Sequence, residues 1–451
     1  MKIAVCVKLN RGELSPFDAC ALECALSVPQ AEIVAVSMAP PQAKDPLAAL
    51  TRLGNVRGML ISDGAFAGSD TIATSRVLAA AIARISPDLV LCGRQSTDGD
   101  TAQVPPMLAE RLGYGFIPYV TRFGLKTADT RLGERQVKLP AVMSVERIAA
   151  LRRPSIFSRA GETEIVSNAA LGLPAELVGQ KGSPTRVVQS FSNKNGVRKC
   201  EFITAAQLPE AVRAAQKGRK KRERVKRQGE KLGEVCYVGN IGNTAEEIAQ
   251  RAVPLSGSAE EIAQAVKERG AQVLLFEATL QNRALAPAVA VKLEAGLTAD
   301  CTLLSVENGK LRMYRPALGG DVIAGIDCVG SPAMATVRAE SSNANAMFSV
   351  GFGALRSLPE IREAAARWGA ELACSRKLVD GGEMPYENQV GLTGKTVSPN
   401  VYVAFGISGA VQHVCAIENA DTVIAVNKDK NAPIFSYADF GVVEEVENVK
   451  L

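Results

Sequence analysis

The chain has 451 residues, 47% apolar and 22% charged, which excludes collagen-like, mucin-like and wholly disordered classes and, at roughly 150 residues per domain, suggests about three compact units. The net charge of +5 is local: residues 213–231 hold ten basic and two acidic residues and carry +8, leaving −3 for the rest. A single histidine, His413, excludes multi-imidazole zinc sites within one subunit, and ten dispersed cysteines without a C-x-x-C pair argue against thiolate metal sites and for a reducing compartment.

Short apolar runs alternate with helical patterns over the first 150 residues, which predicts parallel βαβ units. A strand is expected at Lys2 to Val7. Ser15-Pro16-Phe17-Asp18 then reads as a helix start, with Ser15 as N-cap, proline at the first helical position and Asp18 at N3 near the positive dipole end. Strands follow at Glu32 to Val36, Val56 to Ile61 and Asp88 to Cys92, with helices at Ala43 to Leu53 and Thr71 to Ile85. The last of these strands runs into the polar loop Gly93 to Thr101 before a helix at Gln103 to Leu112, and ligands of open parallel sheets collect at such carboxyl-end loops. From Gly161 to Asn195 periodicity weakens, which suggests an arm with little core of its own. The basic run 213–231 would be charged all round as a helix, so it reads as a solvated connector; nucleic-acid or acidic-partner binding is the alternative.

A second α/β region begins near Glu234, with helices at Ala245 to Arg251, Ala259 to Lys267 and Leu285 to Leu293, and strands at Gln272 to Phe276, Val322 to Ile326 and Ala333 to Val337. A third has strands at Met347 to Val350, Val401 to Phe405 and Asp421 to Val426 and a helix at Leu358 to Trp368. The fold class is therefore α/β, with three doubly wound, Rossmann-like parallel sheets. No apolar stretch reaches the roughly 18 residues that span a bilayer, so a cytoplasmic protein without membrane attachment is expected.

The strongest local construction is Val401 to His413. A buried strand stops at Gly406, and a helix starting at Ser408-Gly409 would aim its free N–H groups at one spot, which suits a pyrophosphate. Taken alone this is an anion site or only a tight turn, because it matches neither G-x-S-x-G nor G-x-G-x-x-G. Ser375-Arg376 after an apolar strand, Gln389 to Lys395 and Asn427-Lys428-Asp429 add polar strand ends, and their convergence favours a nucleotide site.

These same motifs, in this order and spacing, resemble the FAD-binding domain of the electron transfer flavoprotein α subunit. Gly296 to Cys301 and Arg315 to Gly320 resemble that subunit's N-terminal domain. Ser15 to Asp18, Asp98 to Val104 and Ser183 to Val188 resemble the β subunit. The resemblance implies a β–α fusion: a β-like nucleotide-binding domain over 1–190, an arm and basic linker over 191–233, an α-like N-terminal domain over 234–345 and an FAD-binding domain over 346–451.

The resemblance further implies FAD held by Ser375, Arg376, Val390, Gly391, Thr393, Ser408, Gly409, Ala410, Val411, Gln412, His413, Asn427 and Glu445. Arg376 and His413 would place positive charge and hydrogen-bond donors by the ring system and favour its anionic reduced form. A second nucleotide, AMP or a second FAD, would lie on Cys6, Ser15, Pro16, Phe17, Asp18, Met38, Ser96, Thr97, Asp98, Gly99, Asp100, Thr101, Ala102, Gln103, Val104 and Met107. A second FAD would make the protein electron-bifurcating and able to react with NADH. Otherwise it is an electron carrier between a flavin dehydrogenase of the acyl-CoA type and a further redox protein.

Several positions depart from the family pattern. A long hairpin before Ser15 is reduced to Leu9 to Leu14, Phe352 stands for an arginine, Leu392 for a glutamine and Glu445 for an aspartate. Arg153-Pro154-Ser155-Ile156 replaces a leucine-anchored docking loop, and Gly161 to Glu164 replaces lysines. The competing reading is a non-redox adenine-nucleotide-binding module whose basic run meets nucleic acid or acidic partners; a nucleotide hydrolase or ligase lacks a P-loop.

Overall fold

The computed structural model describes residues 1–10, 12–96, 98–192, 197–217, 230–320, 322–338 and 344–450. Its contacts divide the chain into two units, one of residues 1–190, 229–318 and 324–337, the other of residues 191–228, 319–323 and 338–451.

The first unit holds two parallel sheets. In the larger, the strand Lys2–Cys6 lies between Glu32–Met38 and Leu89–Gly93, with Val56–Ile61 and Thr163–Val166 beyond the former and Ala141–Val145 and Gly115–Arg122 beyond the latter. The short strands Thr127–Thr130 and Gly133–Gln136 close that edge antiparallel. Helix Pro16–Leu26 packs on one face, over Ile3, Val5, Ile33 and Leu91, and helix Thr71–Ile85 on the other, over Ala4, Val34 and Val90. The alternation of these buried residues along each strand is the period-2 pattern of a sheet covered on both faces.

The smaller sheet runs Ala249–Pro254, Leu232–Val238, Val273–Glu277, Ala333–Val337, Leu297–Cys301, all parallel. Two expectations change here. The helix expected over Ala245 to Arg251 is Gly242–Ile248, and Ala249–Pro254 is an edge strand. The strand Val322–Cys328 belongs to a separate four-stranded sheet beside Thr185–Ser192 and the antiparallel pair Leu303–Glu307 and Lys310–Ala317. Helices Val104–Leu112 and Leu280–Leu293 join the two parallel sheets of this unit. Met107 and Ile72 are buried in one cluster with Phe276, Ala286 and Val289, and Glu294 accepts from Arg111 at 3.0 and 3.1 Å.

The second unit is built on the parallel sheet Glu201–Phe202, Phe440–Val442, Thr422–Val426, Val401–Phe405, Ala346–Val350, Glu371–Cys374. The expected solvated connector starts differently. Residues 213–217 end the helix Leu208–Lys217, whose Leu208, Val212 and Ala215 recur at helical spacing and are buried with Phe348, Ile361 and Val401. Arg213 instead covers the Trp368 ring, its guanidinium carbon 5.3 Å from the centroid. The rest of the basic run, 218–229, lies outside the described residues.

Candidate functional site

In the last sheet the first strand, Ala346–Val350, has the second, Glu371–Cys374, on one side and the third, Val401–Phe405, on the other. All three strands run parallel, the order of strands reverses between the first and third, and a crevice opens outside their carboxyl ends. Its walls are the turns Gly351-Phe352-Gly353 and Gly406 to Ala410. They touch backbone to backbone: the Gly351 amide donates to Phe405 at 2.7 Å and the Gly353 amide to the Gly406 carbonyl at 3.2 Å. A Cβ on Gly351 would stand 2.2 Å from the Gly406 oxygen, and one on Gly406, where φ is +60°, 2.4 Å from the Ala354 nitrogen. Only glycine fits at positions 351 and 406, and the bare backbone there is what allows close approach of a phosphate.

The loop Gln389 to Lys395 folds against the same end. The Leu392 amide donates to the Gln412 carbonyl at 2.5 Å, the Gln389 side chain donates to Thr393 Oγ1 at 2.7 Å, and Gly391 comes so near Gln412 that a Cβ would lie 2.9 Å from its oxygen. Asn427 ties the neighbouring strand end, its side-chain amide donating to Ile407 at 3.0 Å. Ser375, Val390, Gly391, Thr393, Ser408 to His413 and Asn427 thus come together at one end of the sheet. The helix expected from Ser408 is a single turn, Val411–Val414, so amides of the turn, rather than a helix dipole, are what the site offers.

The first sheet has the same topology, with Lys2–Cys6 central and the crevice between its end and that of Leu89–Gly93. Here a side chain fills the seat. Ser15 is the positional N-cap of the helix but makes no side-chain cap, and Asp18 turns inward instead of out to solvent. Its Oδ2 accepts from the Lys8 amide at 2.8 Å and its Oδ1 from the Gly93 amide at 3.2 Å. Burial pushes the Asp18 carboxyl up to about 7, against the pull of the Lys8 and Gly93 amides and the Lys8 charge. Lys8 Nζ pairs with Asp98 at 2.7 Å, closing the polar loop over this point. Arg315 reaches that loop from the strand Lys310–Ala317 of the four-stranded sheet, donating to the carbonyls of Gly99 at 2.8 Å and Asp100 at 3.3 Å.

The description "Electron transfer flavoprotein domain" matches residues 3–164 and 255–366, and "Electron transfer flavoprotein FAD-binding domain" matches residues 342–418, which takes in the glycine-walled crevice. The chain belongs to the electron transfer flavoprotein family. It is 36% identical over 240 residues to "Electron transfer flavoprotein subunit alpha" of Thermoanaerobacterium thermosaccharolyticum, covering 43% of this chain and 73% of that protein. It is 36% identical over 222 residues to "Protein FixB" of Rhizobium meliloti, where it spans 63% of the relative's length and 39% of its own. "Acryloyl-CoA reductase electron transfer subunit beta" of Anaerotignum propionicum is 33% identical over 257 residues, covering 40% of this chain and 70% of that protein. The chain therefore carries an FAD-binding domain of this family, and the backbone cradle of its last sheet fits such a ligand. Among the described residues no helix is long and apolar enough to cross a membrane.

Within the FAD-binding domain, the two residues expected to tune the flavin differ. Arg376 is part-exposed and its Nε lies 3.1 Å from Asp380, one helical turn on, so a carboxylate offsets part of its charge. His413 is no cation: its Nε2 lies 2.8 Å from the Tyr402 hydroxyl, and burial pulls the imidazole down to about 4. Tyr402, fully buried on Val401–Phe405, escaped the sequence reading because in an alternating strand it reads as core. Glu445 is exposed and paired with Lys428 at 3.4 Å.

In the first crevice, Cys6, Met38, Ser96, Asp98, Gly99, Asp100, Thr101, Ala102 and Val104 lie partly accessible, and Pro16 is exposed. Phe17 is buried, with the Arg94 guanidinium 5.8 Å from its ring centroid. Gln103 and Met107 do not line a surface: Gln103 bridges Thr71 Oγ1 at 2.8 Å and the Leu297 carbonyl at 3.1 Å, and Met107 is core. Thr97 lies outside the described residues. The short hairpin Leu9–Asn10 with Glu13–Leu14 stands where the family's long one was expected to be missing.

Proposed function

We propose that this chain is an electron transfer flavoprotein in which β-like and α-like parts are joined in one polypeptide, and that FAD in the last sheet's crevice carries electrons between a flavin dehydrogenase and a further redox protein. The observation that carries the reading is the glycine-walled crevice between Val350 and Phe405, inside the stretch that matches the family's FAD-binding domain. Two separate matches to the same domain description along one chain support the fusion. The domain limits proposed from sequence are kept at 1–190, 234–345 and 346–451, with the helix Leu208–Lys217 assigned to the last of these.

The bound flavin supplies reversible electron acceptance. The chain's own residues would bind and orient it: amides of Gly409 to Gln412 would donate to its polar groups, Arg376 would hold its ring system, and the Tyr402–His413 pair holds the Val411–Val414 turn in place. A second nucleotide, AMP or another FAD, is proposed for the crevice of the first sheet, beside Asp98 to Ala102. Nucleotides released on denaturation decide the matter. One FAD with one AMP per chain fits a simple carrier, two FAD with reduction by NADH fits bifurcation, and a colourless protein that takes up no flavin overturns the reading.

A dehydrogenase, of acyl-CoA type, would dock on residues 152–162. Arg152 anchors one end to Glu23 at 2.7 Å, and Arg52 holds the carbonyl of Ser158 at 3.1 Å. Between them Ile156 and Phe157 are 86% and 87% exposed, a free-standing apolar pair of the kind that inserts into a partner's pocket. Phe157→Ser is expected to lower the rate of reduction by a partner dehydrogenase about tenfold at limiting concentration while leaving flavin content unchanged. An unchanged rate would move the docking surface elsewhere.

A further inference from the structure

The turn Gly351-Phe352-Gly353 has one side chain, and it is out of keeping with its surroundings. Both glycines are pressed against Gly406, where a Cβ would fall 2.2 and 2.9 Å from its carbonyl oxygen, so Phe352 alone can present a side chain at the end of the strand Ala346–Val350. Its ring is 60% exposed at the mouth of the crevice. The Lys377 ammonium lies over that ring, 5.2 Å from the centroid, within cation–π range. Lys377 has no carboxylate partner among the described residues. The neighbouring cations at this end differ: Arg376 faces Asp380, Lys395 faces Glu371 at 4.0 Å and Lys428 faces Glu445.

An ammonium seated on an aromatic face keeps most of its charge, because the ring attracts it without neutralising it. The turn after the first strand of a doubly wound sheet is where a dinucleotide's phosphates come closest to backbone. We propose that Lys377 is the cation that meets the diphosphate of FAD in this chain, with the Phe352 ring as the seat that holds its ammonium at the crevice. The inference rests on the FAD reading of that crevice and adds a phosphate-binding residue and its support. It also gives the departure at Phe352 a purpose: the side chain at this turn carries no charge itself but fixes the position of a charge supplied from the start of the next helix, Arg376–Asp380.

The test is titration of flavin-depleted full-length protein with FAD and, separately, with riboflavin, which has the same ring system and no phosphate. Lys377→Met keeps the stem and removes the charge. It is expected to weaken FAD binding about tenfold, the scale of one charge-assisted phosphate contact, and to leave riboflavin binding unchanged. The FAD difference should shrink as salt rises. Phe352→Leu is expected to weaken FAD about threefold by freeing the ammonium, and Lys377→Met with Phe352→Arg is expected to regain most of the lost affinity. Lys377 is exposed, so these variants leave the core intact. Equal FAD affinity in Lys377→Met and the parent overturns the proposal, as does a loss that is the same for riboflavin. A parent protein that binds riboflavin and FAD alike also overturns it, and one that binds neither overturns the FAD reading beneath it.

Discussion

The two crevices described above share one topology and differ in who occupies the amides. In the first sheet the Lys8 and Gly93 amides are taken by the protein's own carboxylate, Asp18, whereas in the last sheet the Gly351 and Gly353 amides bond to backbone carbonyls and, among the described residues, to no carboxylate. The smaller sheet of the first unit resembles the former, with Glu277 accepting from the Asn240 amide at 2.8 Å across the equivalent gap. A doubly wound sheet thus places backbone amides at its carboxyl ends, and the two sheets satisfy them differently: an acidic side chain fills the first seat, whereas facing glycine turns wall the other, the open seat, with backbone alone.

The largest effect should come from adding a methyl group to the open seat. Gly406→Ala would push a Cβ to 2.4 Å from the Ala354 nitrogen at φ +60°, so the two turns cannot stay in contact. The expected outcome is loss of bound flavin with destabilisation of about 3 kcal/mol or more, read by absorbance and thermal unfolding. Full flavin content in this variant would break the claim that the glycine turns make the seat. Gly93→Ala is the counterpart at the filled seat, where the Cβ would meet Asp18 Oδ1 at 2.2 Å and the Asp18 nitrogen at 2.7 Å. It should destabilise the fold similarly yet leave flavin in the last domain.

Protonation comes next. Asp18 titrates near 3.8 in an unfolded chain and near 7 when folded, so between those values the folded form holds a proton that the unfolded form has released. Stability contributed by this group is therefore complete at low pH and is lost as pH rises, by up to about 4 kcal/mol over the window from about pH 4 to about pH 7. Urea midpoints compared for the parent and Asp18→Asn should show the steeper decline in the parent. Parallel pH profiles would contradict a buried, proton-binding Asp18.

The smaller effects belong to the open seat. Arg376→Ala should lower the flavin potential by on the order of 30 mV, about 1.4 kcal/mol for two electrons, with the loss limited because Asp380 already offsets the charge. Smallest of all, His413→Gln should leave the pH dependence of that potential unchanged between about pH 5.5 and about pH 8, since the imidazole beside Tyr402 stays neutral there. A step near neutral pH that vanishes in this variant would return His413 to the role of a cation.

Much of this was legible in the sequence, because apolar runs buried on both faces of a parallel sheet stand out from polar loops. Thr71–Ile85, Leu358–Trp368, Val56–Ile61 and Val401–Phe405 fall where the periodicity places them. Side-chain direction was not legible. Ser15 to Asp18 is a sound helix start, but nothing local distinguishes an N3 carboxylate that faces water from one that meets two amides across a sheet. His413 is similar: its neutral state depends on burial, which is set by packing from distant parts of the chain and not by its neighbours in sequence. Helix Leu208–Lys217 was hidden by the charge that follows its apolar stripe. The hairpin at Asn308-Gly309, both with positive φ, did carry a signal in that dipeptide, which favours such turns.

Arg315 has a consequence for assembly. By gripping the carbonyls of Gly99 and Asp100, it makes the lip of the first crevice a joint product of two distant stretches of sequence. Were those stretches separate molecules, the lip would exist only after they had met, and dilution would undo it. On one polypeptide the encounter is intramolecular, at an effective concentration set by the tether, so the pocket's completeness no longer depends on how much protein is present.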